Sequence, residues 1–174
     1  MKKVLTVHWW TGVKCNRPEG KGPYIPEIHS WMGLYIPERD RLELEMEVSN
    51  MKLKFYRCEI CGNIIGKVYD SGVDVECCGK YMTPLTANTS DGAVEKHVPV
   101  VTVDGSNVHV KIGSAEHPMT EEHFIEWIAL QTKTGNQRKC LKPGDKPEVC
   151  FCICDGDEVE AVYAYCNLHG LWKN

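Results

Sequence analysis

The sequence has no long hydrophobic run and no excess of positive charge, and each absence excludes a class of protein. None of its apolar stretches approaches the roughly 20 residues that a helix needs to cross a bilayer, which excludes a transmembrane protein. Its 20 Lys and Arg residues are outnumbered by 24 Asp and Glu residues, which gives a formal net charge of -4. Because binding to phosphates requires clustered basic residues, this balance argues against nucleic acid as the main partner.

The sequence also lacks a fibrous or disordered composition and a recognisable export signal. With 43% hydrophobic and 25% charged residues, it has the composition of a globular protein. The basic start at Lys2 and Lys3 is followed by an apolar run that His8 and Gly12 interrupt, and no small-residue cleavage site follows. We therefore expect a cytoplasmic, reducing location, where clustered thiols bind metal or do redox chemistry more often than they form disulfides.

The chain changes character near residue 50. Residues 1–50 contain three of the five Trp and four of the nine Pro residues, yet show no sustained period of 2 or 3.6. We interpret them as a translated leader before a true start at Met51, or as a disordered extension. The codons for residues 46–50 can contain a purine-rich ribosome-binding sequence just before the Met51 codon, which favours the leader. Residues 51–87, dense in Cys and Gly, and the β-like residues 88–174 are the two expected domains.

The pattern after residue 88 predicts a mainly β fold. Strands are predicted over 97–103, 108–112, 148–154 and 159–165. Short strands separated by turns such as Asp104-Gly105 are typical of an antiparallel sandwich. Residues 120–132 remain ambiguous, because Thr120 can cap a helix whose apolar stripe would contain Phe124 and Ile128.

Four thiols form the first candidate metal site. Cys58 and Cys61 make a C-x-x-C pair, and Cys77 and Cys78 are adjacent. Four thiolates can close a tetrahedron around one metal, but adjacent cysteines normally project in opposite directions. The backbone at Cys77 and Cys78 must therefore bend, and we expect a distorted site. Spacing alone leaves iron and zinc open, as well as a zinc knuckle that only stabilises a small module.

Histidines form a second candidate site in the β-like body. Four of them stand at turns or strand ends: His97, His117, His123 and His169. Each alone is more often a surface or core side chain than a ligand, but Cys166 precedes His169 by three residues, and together they indicate a metal site. His109 alternates with apolar neighbours in its strand, so we assign it to solvent.

Four further cysteines after residue 51 belong to neither group: Cys140, Cys150, Cys152 and Cys154. The last three alternate along one predicted strand and share a face, where free cysteine commonly packs as a small hydrophobe. We therefore expect them in the core. A third metal site is the alternative, but thiols in a straight row about 7 Å apart do not easily converge on one ion.

From residue 51 to residue 174 the sequence resembles the desulfoferrodoxins, which are two-iron superoxide reductases. The matching motifs occur in the family's order: Cys58-x-x-Cys61 with Cys77-Cys78, Glu95-Lys96-His97-Val98-Pro99, Glu116-His117-Pro118-Met119 with His123, and Cys166-Asn167-Leu168-His169-Gly170. The resemblance implies a desulforedoxin-like module followed by an immunoglobulin-like antiparallel β-sandwich. It also implies that residues 122–130 form a strand.

The resemblance further implies two iron ions and a ligand set for each. The first, Fe(Cys)4, would be held by Cys58, Cys61, Cys77 and Cys78. The second, Fe(His)4Cys, would be held by His97, His117, His123, Cys166 and His169. At the ferrous second iron, superoxide would be reduced by one electron to hydrogen peroxide without production of dioxygen.

The resemblance also implies roles for two residues beside the second centre and for partners. Lys96 resembles the lysine that attracts superoxide, which a chain of net charge -4 repels at long range. Glu95 resembles the carboxylate that binds the oxidised centre. A rubredoxin-like electron donor and a homodimer are implied as well. The rival functions are a non-enzymatic electron-transfer or zinc-stabilised binding module, which gives the histidines no role, and a superoxide dismutase.

Overall fold

Residues 52–174 are described from a computed structural model of the chain. The predicted leader or extension over 1–50, and the predicted start at Met51, lie outside these residues. Within them, no helix is long and apolar enough to cross a membrane. The mainly β fold that the sequence predicts is confirmed, since the one helix in this part of the chain, α1 (Val94–His97), is a single turn.

The first five strands are short and belong to the Cys-rich segment. They are β1 (Lys54–Arg57), β2 (Ile64–Lys67), β3 (Glu76–Cys77), β4 (Lys80–Tyr81) and β5 (Thr83–Pro84). β1 lies between β2 and β5 in an antiparallel sheet, and β3 pairs with β4. The side chains buried within this segment are few: Phe55, Cys58, Asp70 and Met82. So small an apolar core cannot stabilise a domain without additional ligands or packing partners.

Seven strands form an antiparallel sandwich, and all of them but the last are longer than any strand of the Cys-rich segment. They are β6 (Pro99–Asp104), β7 (Asn107–Ile112), β8 (Ile125–Thr132), β9 (Asn136–Cys140), β10 (Glu148–Cys152), β11 (Val159–Cys166) and β12 (Gly170–Lys173). One sheet has the order β10-β7-β6 and the other β12-β11-β8-β9. Both sheets contribute side chains to the core between them, including Val110, Phe151, Leu130 and Val162. Burial of these apolar side chains on alternate strand positions is what holds the two sheets together.

The ambiguous stretch over 120–132 contains strand β8, as the family resemblance implies, and the alternative of a helix is wrong. β8 lies between β11 and β9, and every residue from Trp127 to Thr132 is buried. A strand that is covered on both faces loses the alternation by which strands are recognised, so its sequence is ambiguous. The strand predicted over 97–103 begins at Pro99 instead, because α1 occupies the residues up to His97.

The Cys-rich segment packs on the outward face of the four-stranded sheet. The ring of Phe55 in β1 lies 4.8 Å from that of Trp127 and 5.5 Å from that of Tyr163. Trp127 in turn stacks on Tyr165 at 5.3 Å with an interplanar angle of 5°. The backbone N–H of Leu53 donates to Oε1 of Gln131 at 3.0 Å. This second apolar cluster buries both faces of the central strands and joins the two regions.

The expectation that Cys150, Cys152 and Cys154 pack in the core is wrong. Cys152 and Cys154 are exposed and Cys150 is half-buried, whereas Phe151 and Ile153 face the core. The two-residue period of the strand is as predicted, but the larger apolar side chains occupy the inward positions. Within residues 52–174, groups of three or more converging metal ligands occur at two places, and neither includes these cysteines or the exposed Cys140.

Two further strand features bear on the surface of the sandwich. His109 is exposed on β7, as the sequence predicts. At one open side of the sandwich, β9 lies beside β10 without joining its sheet. Nε2 of Gln137 donates to the carbonyl oxygen of Cys152 at 2.7 Å, and Nζ of Lys139 donates to that of Cys150. Side chains of one edge strand therefore occupy backbone acceptors of the other.

Candidate metal centres

The four predicted thiol ligands of the first site come together at one end of the Cys-rich segment. The sulfur atoms of Cys58, Cys61, Cys77 and Cys78 all lie within 4.8 Å of one another. A tight loop after β1 places the first two, in which the N–H of Gly62 donates to the carbonyl oxygen of Cys58 at 2.9 Å. Gly62 has a φ of 77°, a conformation that glycine adopts without the Cβ penalty of other residues.

The backbone bends at the adjacent cysteines, as convergence of both thiols requires. Cys78 has a φ of 52°, in the left-handed region that residues with a Cβ avoid at a cost of about 1–2 kcal/mol. The bend directs both thiols to the same side, where the sulfur atoms of Cys77 and Cys78 are 3.9 Å apart. The sulfur atom of Cys61 lies 3.6 Å from that of Cys77.

The thiols of this site cannot all ionise unless a cation joins them. Hydrogen bonds from the backbone N–H groups of Cys61 and Ile60 lower the pKa of Cys58 to about 7. Hydrogen bonding with the neighbouring sulfur atoms of Cys61 and Cys77 stabilises the protonated thiol of Cys78 and raises its pKa to about 12. A bound metal ion removes this conflict, so four soft donors around one point fit a thiophilic metal.

Most of the predicted ligands of the second site also converge, at one end of the sandwich. Ligand atoms of four residues lie within 4.8 Å of one another: His97, His123, Cys166 and His169. The ring of His117 lies beside them, with its centroid 4.7 Å from that of His97 and 4.6 Å from that of His123. His97 ends α1, Cys166 ends β11, His123 and His169 lie just before β8 and β12, and His117 lies within the β7–β8 connection. The strands therefore fix the chain close to most of these ligands.

Hydrogen bonds to backbone carbonyls select which ring nitrogen faces the centre. Nδ1 of His97 lies 2.7 Å from the carbonyl oxygen of Ala93, and Nδ1 of His117 lies 2.5 Å from that of Pro118. Because a carbonyl accepts only from an N–H, each Nδ1 carries the proton and each Nε2 keeps a lone pair for a metal. His169 instead presents Nδ1, which lies 3.6 Å from the sulfur of Cys166.

Burial favours the neutral form of His97, His117 and His123 and leaves polar atoms without partners. His97 and His117 are each 2% exposed, and burial lowers the pKa of His117 to about 4. Burial also lowers the pKa of His97 and of His123. Nε2 of His117 and of His123 is buried without a hydrogen-bond partner among the described residues. An unpaired buried polar atom costs about 1–3 kcal/mol, so the donor set fits a metal ion that accepts these lone pairs.

The two predicted residues beside the second site lie on α1 with exposed side chains. Among residues 52–174, neither the carboxylate of Glu95 nor the ammonium group of Lys96 has a hydrogen-bond or ion-pair partner. Lys96 lines an open pocket of about 530 Å³ together with His117, Glu116 and residues of the β9–β10 connection. Glu95 is exposed on the same helical turn but does not line this pocket.

Sequence reasoning missed residues that support the ligands. Trp172, which is 1% exposed, stacks on His97 with ring centroids 4.7 Å apart. Oδ1 of Asn167 accepts from the N–H of Phe124 at 2.9 Å, and its Nδ2 donates to the carbonyl oxygen of Glu122 at 2.9 Å. Asn167 therefore ties the turn after Cys166 to the entry of β8. Its place inside the Cys-x-x-His motif was the signal available in the sequence.

Fold and ligands together define a class: a small, mainly β protein with an all-thiolate metal centre and a second centre of imidazoles and one thiolate. The family model of desulfoferrodoxin matches residues 89–174. Desulfoferrodoxin of Syntrophotalea carbinolica is 48% identical over 123 residues, which cover 71% of this chain and 96% of that protein. Desulfoferrodoxin of Nitratidesulfovibrio vulgaris is 48% identical over 120 residues, 69% of this chain and 94% of that protein.

A solved structure extends the comparison to the fold. The superoxide reductase from Treponema pallidum superimposes with a TM-score of 0.61 at 40% identity, covering 71% of this chain and 98% of that one. The chain belongs to the desulfoferrodoxin family. Family membership, with two ligand groups of the matching kinds, confirms the prediction of two iron ions per chain and decides between iron and zinc, which spacing left open.

Proposed function

We propose that this chain is a superoxide reductase that converts superoxide to hydrogen peroxide and produces no dioxygen. The observation that carries the proposal is the convergence of four imidazoles, two of them fully buried, and the buried thiol of Cys166 beside a pocket that Lys96 lines. The superoxide reductase of Pyrococcus horikoshii is 34% identical over 111 residues, which supports the same activity. A non-enzymatic electron-transfer or binding module is not favoured, because it leaves the histidines without a role.

We assign the ligands of both irons to the residues that the sequence singled out. The first iron is held by Cys58, Cys61, Cys77 and Cys78. The second is held by His97, His117, His123, Cys166 and His169. With ferrous iron bound, four neutral imidazole ligands and one thiolate ligand would give a centre of net charge +1, which would supply the electron for superoxide. The unpaired Nε2 of His117 supports its inclusion as the fourth imidazole.

Lys96 is proposed to attract superoxide to the second centre. The reaction consumes one superoxide anion, one electron and two protons for each hydrogen peroxide released. A chain of net charge -4 repels the anion at long range, so a local cation must recover the encounter rate. The Lys96 pocket is open to water, which delivers the two protons and carries the product away.

Glu95 is proposed to act once the second centre has been oxidised. Its carboxylate is exposed two residues before His97, and no other group of residues 52–174 holds it. An oxidised centre carries one more positive charge than the reduced one, which favours a carboxylate over water. We expect the Glu95 carboxylate to compete with small anions for the oxidised second centre and not to bind the reduced centre.

The electron donor and the assembly are further parts of the proposal. A rubredoxin-like donor would approach His169, which borders a second surface pocket together with Arg57 and the 61% exposed side chain of Leu168. A homodimer would cover large exposed side chains of the Cys-rich segment, such as Val68 and Val73. We place the protein in the cytoplasm and divide the chain into an extension over 1–50 and domains over 51–87 and 88–174.

The experiment is a comparison of Lys96→Ala with Lys133→Ala in iron-loaded protein by pulse radiolysis. Both variants lose one positive charge, but Lys133 is paired with Glu158 on the surface and lines no pocket at the second centre. Lys96→Ala should slow the second-order reaction roughly tenfold and flatten its dependence on ionic strength, whereas Lys133→Ala should match the parent. Equal salt slopes in all three proteins would contradict the role of Lys96.

Two further measurements test the rest of the proposal. Metal analysis should find about two irons per chain, with a visible thiolate-to-iron band that appears on oxidation; one zinc and no colour would contradict the activity itself. Glu95→Ala should leave the encounter with superoxide unchanged but increase the affinity of the oxidised protein for azide. An unchanged azide affinity and spectrum would show that Glu95 is only a solvated surface residue.

A further inference from the structure

Glu95 and Lys96 are positioned by their backbone alone. Within residues 52–174 neither side chain is held by another group, so their location depends on where the chain of α1 runs. That chain is bonded to the turn after β7. The N–H of Ala115 donates to the carbonyl oxygen of Glu95 at 2.9 Å, and the N–H of Gly113 donates to that of Val98 at 3.1 Å. These two bonds lie on either side of His97.

The turn after β7 fits against α1 only because residue 113 has no side chain. Gly113 is buried and has a φ of 76°. A Cβ built there would lie 2.6 Å from the carbonyl oxygen of Glu95 and 2.7 Å from the carbonyl carbon of Lys96. It would also lie 2.5 Å from the carbonyl oxygen of Ala115. All three atoms belong to the backbone, so no side-chain rotation relieves the overlap.

We propose that Gly113 is a positioning residue, whose missing side chain lets the turn over 113–115 clamp the backbone of Glu95 and Lys96 beside the second metal centre. This inference rests on the proposed function, because it concerns the two residues assigned there to superoxide and to the oxidised centre. The clamp also spans the ligands, since the same turn leads within two residues from Ala115 to His117. This close backbone contact therefore connects the helical turn that carries Lys96 and His97 to the loop that carries His117.

The test compares Gly113→Ala with Gly105→Ala in the iron-loaded full chain. Gly105 has a φ of 55°, so alanine is conformationally strained at both positions, but no atom lies within 4 Å of a Cβ built at Gly105. The pair therefore separates loss of conformational freedom from displacement of α1. Gly105→Ala should match the parent in reaction rate, salt dependence and anion affinity.

Gly113→Ala should bind iron but resemble the variants of the residues that it positions. We expect a several-fold slower reaction with superoxide, a flatter salt dependence and a higher azide affinity of the oxidised protein, approaching the roughly tenfold effect of Lys96→Ala. Independently of activity, hydrogen exchange at the Ala115 amide should accelerate at least tenfold, because its acceptor on Glu95 is displaced. A Gly113→Ala protein that equals Gly105→Ala in every measurement would overturn the inference.

The outcomes separate this inference from the function on which it rests. If Lys96→Ala and Glu95→Ala have no effect, the roles of those residues fail, while the exchange rate at Ala115 still reports on the clamp. If those variants act as expected and Gly113→Ala does not, only the positioning role fails. If Gly113→Ala does not fold, hydrogen exchange in the parent protein provides the test. The Ala115 amide must then be as protected as the Val110 amide in β7, and rapid exchange at Ala115 would overturn the inference.

Discussion

The Cys-rich segment and the sandwich bring soft ligands together by opposite means. In the segment, a handful of buried side chains surround two loops. The pKa values of two of its thiols differ widely, because backbone N–H groups lower that of Cys58 and neighbouring thiols raise that of Cys78. In the sandwich, a continuous core between two sheets fixes the end of β11, where Cys166 lies, and the start of β6, which follows α1 and His97 by one residue. We therefore expect the first site to need its metal in order to fold, whereas the second site should be largely formed before its metal binds.

Removal of both metals gives the largest expected difference between the regions. Because the segment has so little apolar core, its strands over 54–84 should lose most of their protection against hydrogen exchange when the metals are chelated. The strands over 99–173 should keep theirs, since their core does not include the metal. Mass spectrometry of exchanged protein measures both regions at once. Equal loss of protection in the two regions would contradict the comparison.

Removal of one thiol should affect only the first site. Cys77→Ser should abolish or strongly weaken binding of the first iron, because the tetrahedral set loses a soft ligand. The second iron and the reduction of superoxide should remain, since the two ligand groups share no residue. Metal content and activity measure the effect, and Cys152→Ser, at an exposed thiol outside both groups, is the control. Collapse of activity with the second iron still bound would reveal tight coupling.

Phe55 connects the two regions, so its removal tests how far they stabilise each other. Phe55→Ala should lower the free energy of unfolding by about 3–5 kcal/mol, the usual cost of deleting a buried aromatic ring. Fluorescence of Trp127, which Phe55 covers, should shift to the red. Tyr81→Ala, at a 67% exposed aromatic of the same segment, is the matched control. A loss no larger than the control's would mean that the regions are independent.

A buried ion pair gives the smallest of the four effects. Asp70 accepts from Nζ of Lys54 and of Lys67 at 2.7 Å each, and these bonds hold its pKa well below the usual range. Asp70→Asn should lower the melting temperature by less than Phe55→Ala. A carboxyl group whose pKa is lower in the folded than in the unfolded state stabilises the folded protein at pH values above the unfolded pKa of about 3.9. This stabilisation is lost as the pH falls through the folded-state pKa.

The difference in melting temperature between the parent and Asp70→Asn should therefore be constant from pH 5 to 8 and should narrow under acid. Thermal unfolding at several pH values measures it. Glu158→Gln is the control, because the ion pair of Glu158 with Lys133 is mostly exposed and contributes little. A difference in melting temperature that grows below pH 4 would show that the lowered pKa of Asp70 is not the cause of the stabilisation.

The sequence could predict which thiols and imidazoles come together, because metal chemistry demands particular residue types at short spacings. The C-x-x-C pair at Cys58, the adjacent thiols at Cys77 and Cys78, and the Cys-x-x-His motif at Cys166 all carry that signal. Strands β7 and β11 were predictable for a similar reason, since alternation or turns mark their limits. The mainly β class followed from the same patterns.

The remainder depends on contacts that no local pattern contains. β8 lost its alternation because the Cys-rich segment covers its second face, and polar β9 is recognisable only beside its partner strand. The inward face of β10 could not be chosen without knowing that Phe151 would fill the core better than Cys150. Gly113 carries no chemical signal at all, because its importance lies in how closely α1 approaches it.

The bridging of β9 and β10 bears on how this protein behaves when it is concentrated. The edge of a sheet presents free carbonyls and amides that can recruit a strand from another molecule, and this is a common route to aggregation. Here Gln137 and Lys139 already occupy the outward carbonyls of Cys152 and Cys150. The half-buried thiol of Cys150 and the exposed thiol of Cys152 can thus lie along an edge strand while the charge and bulk of the neighbouring strand keep foreign strands away.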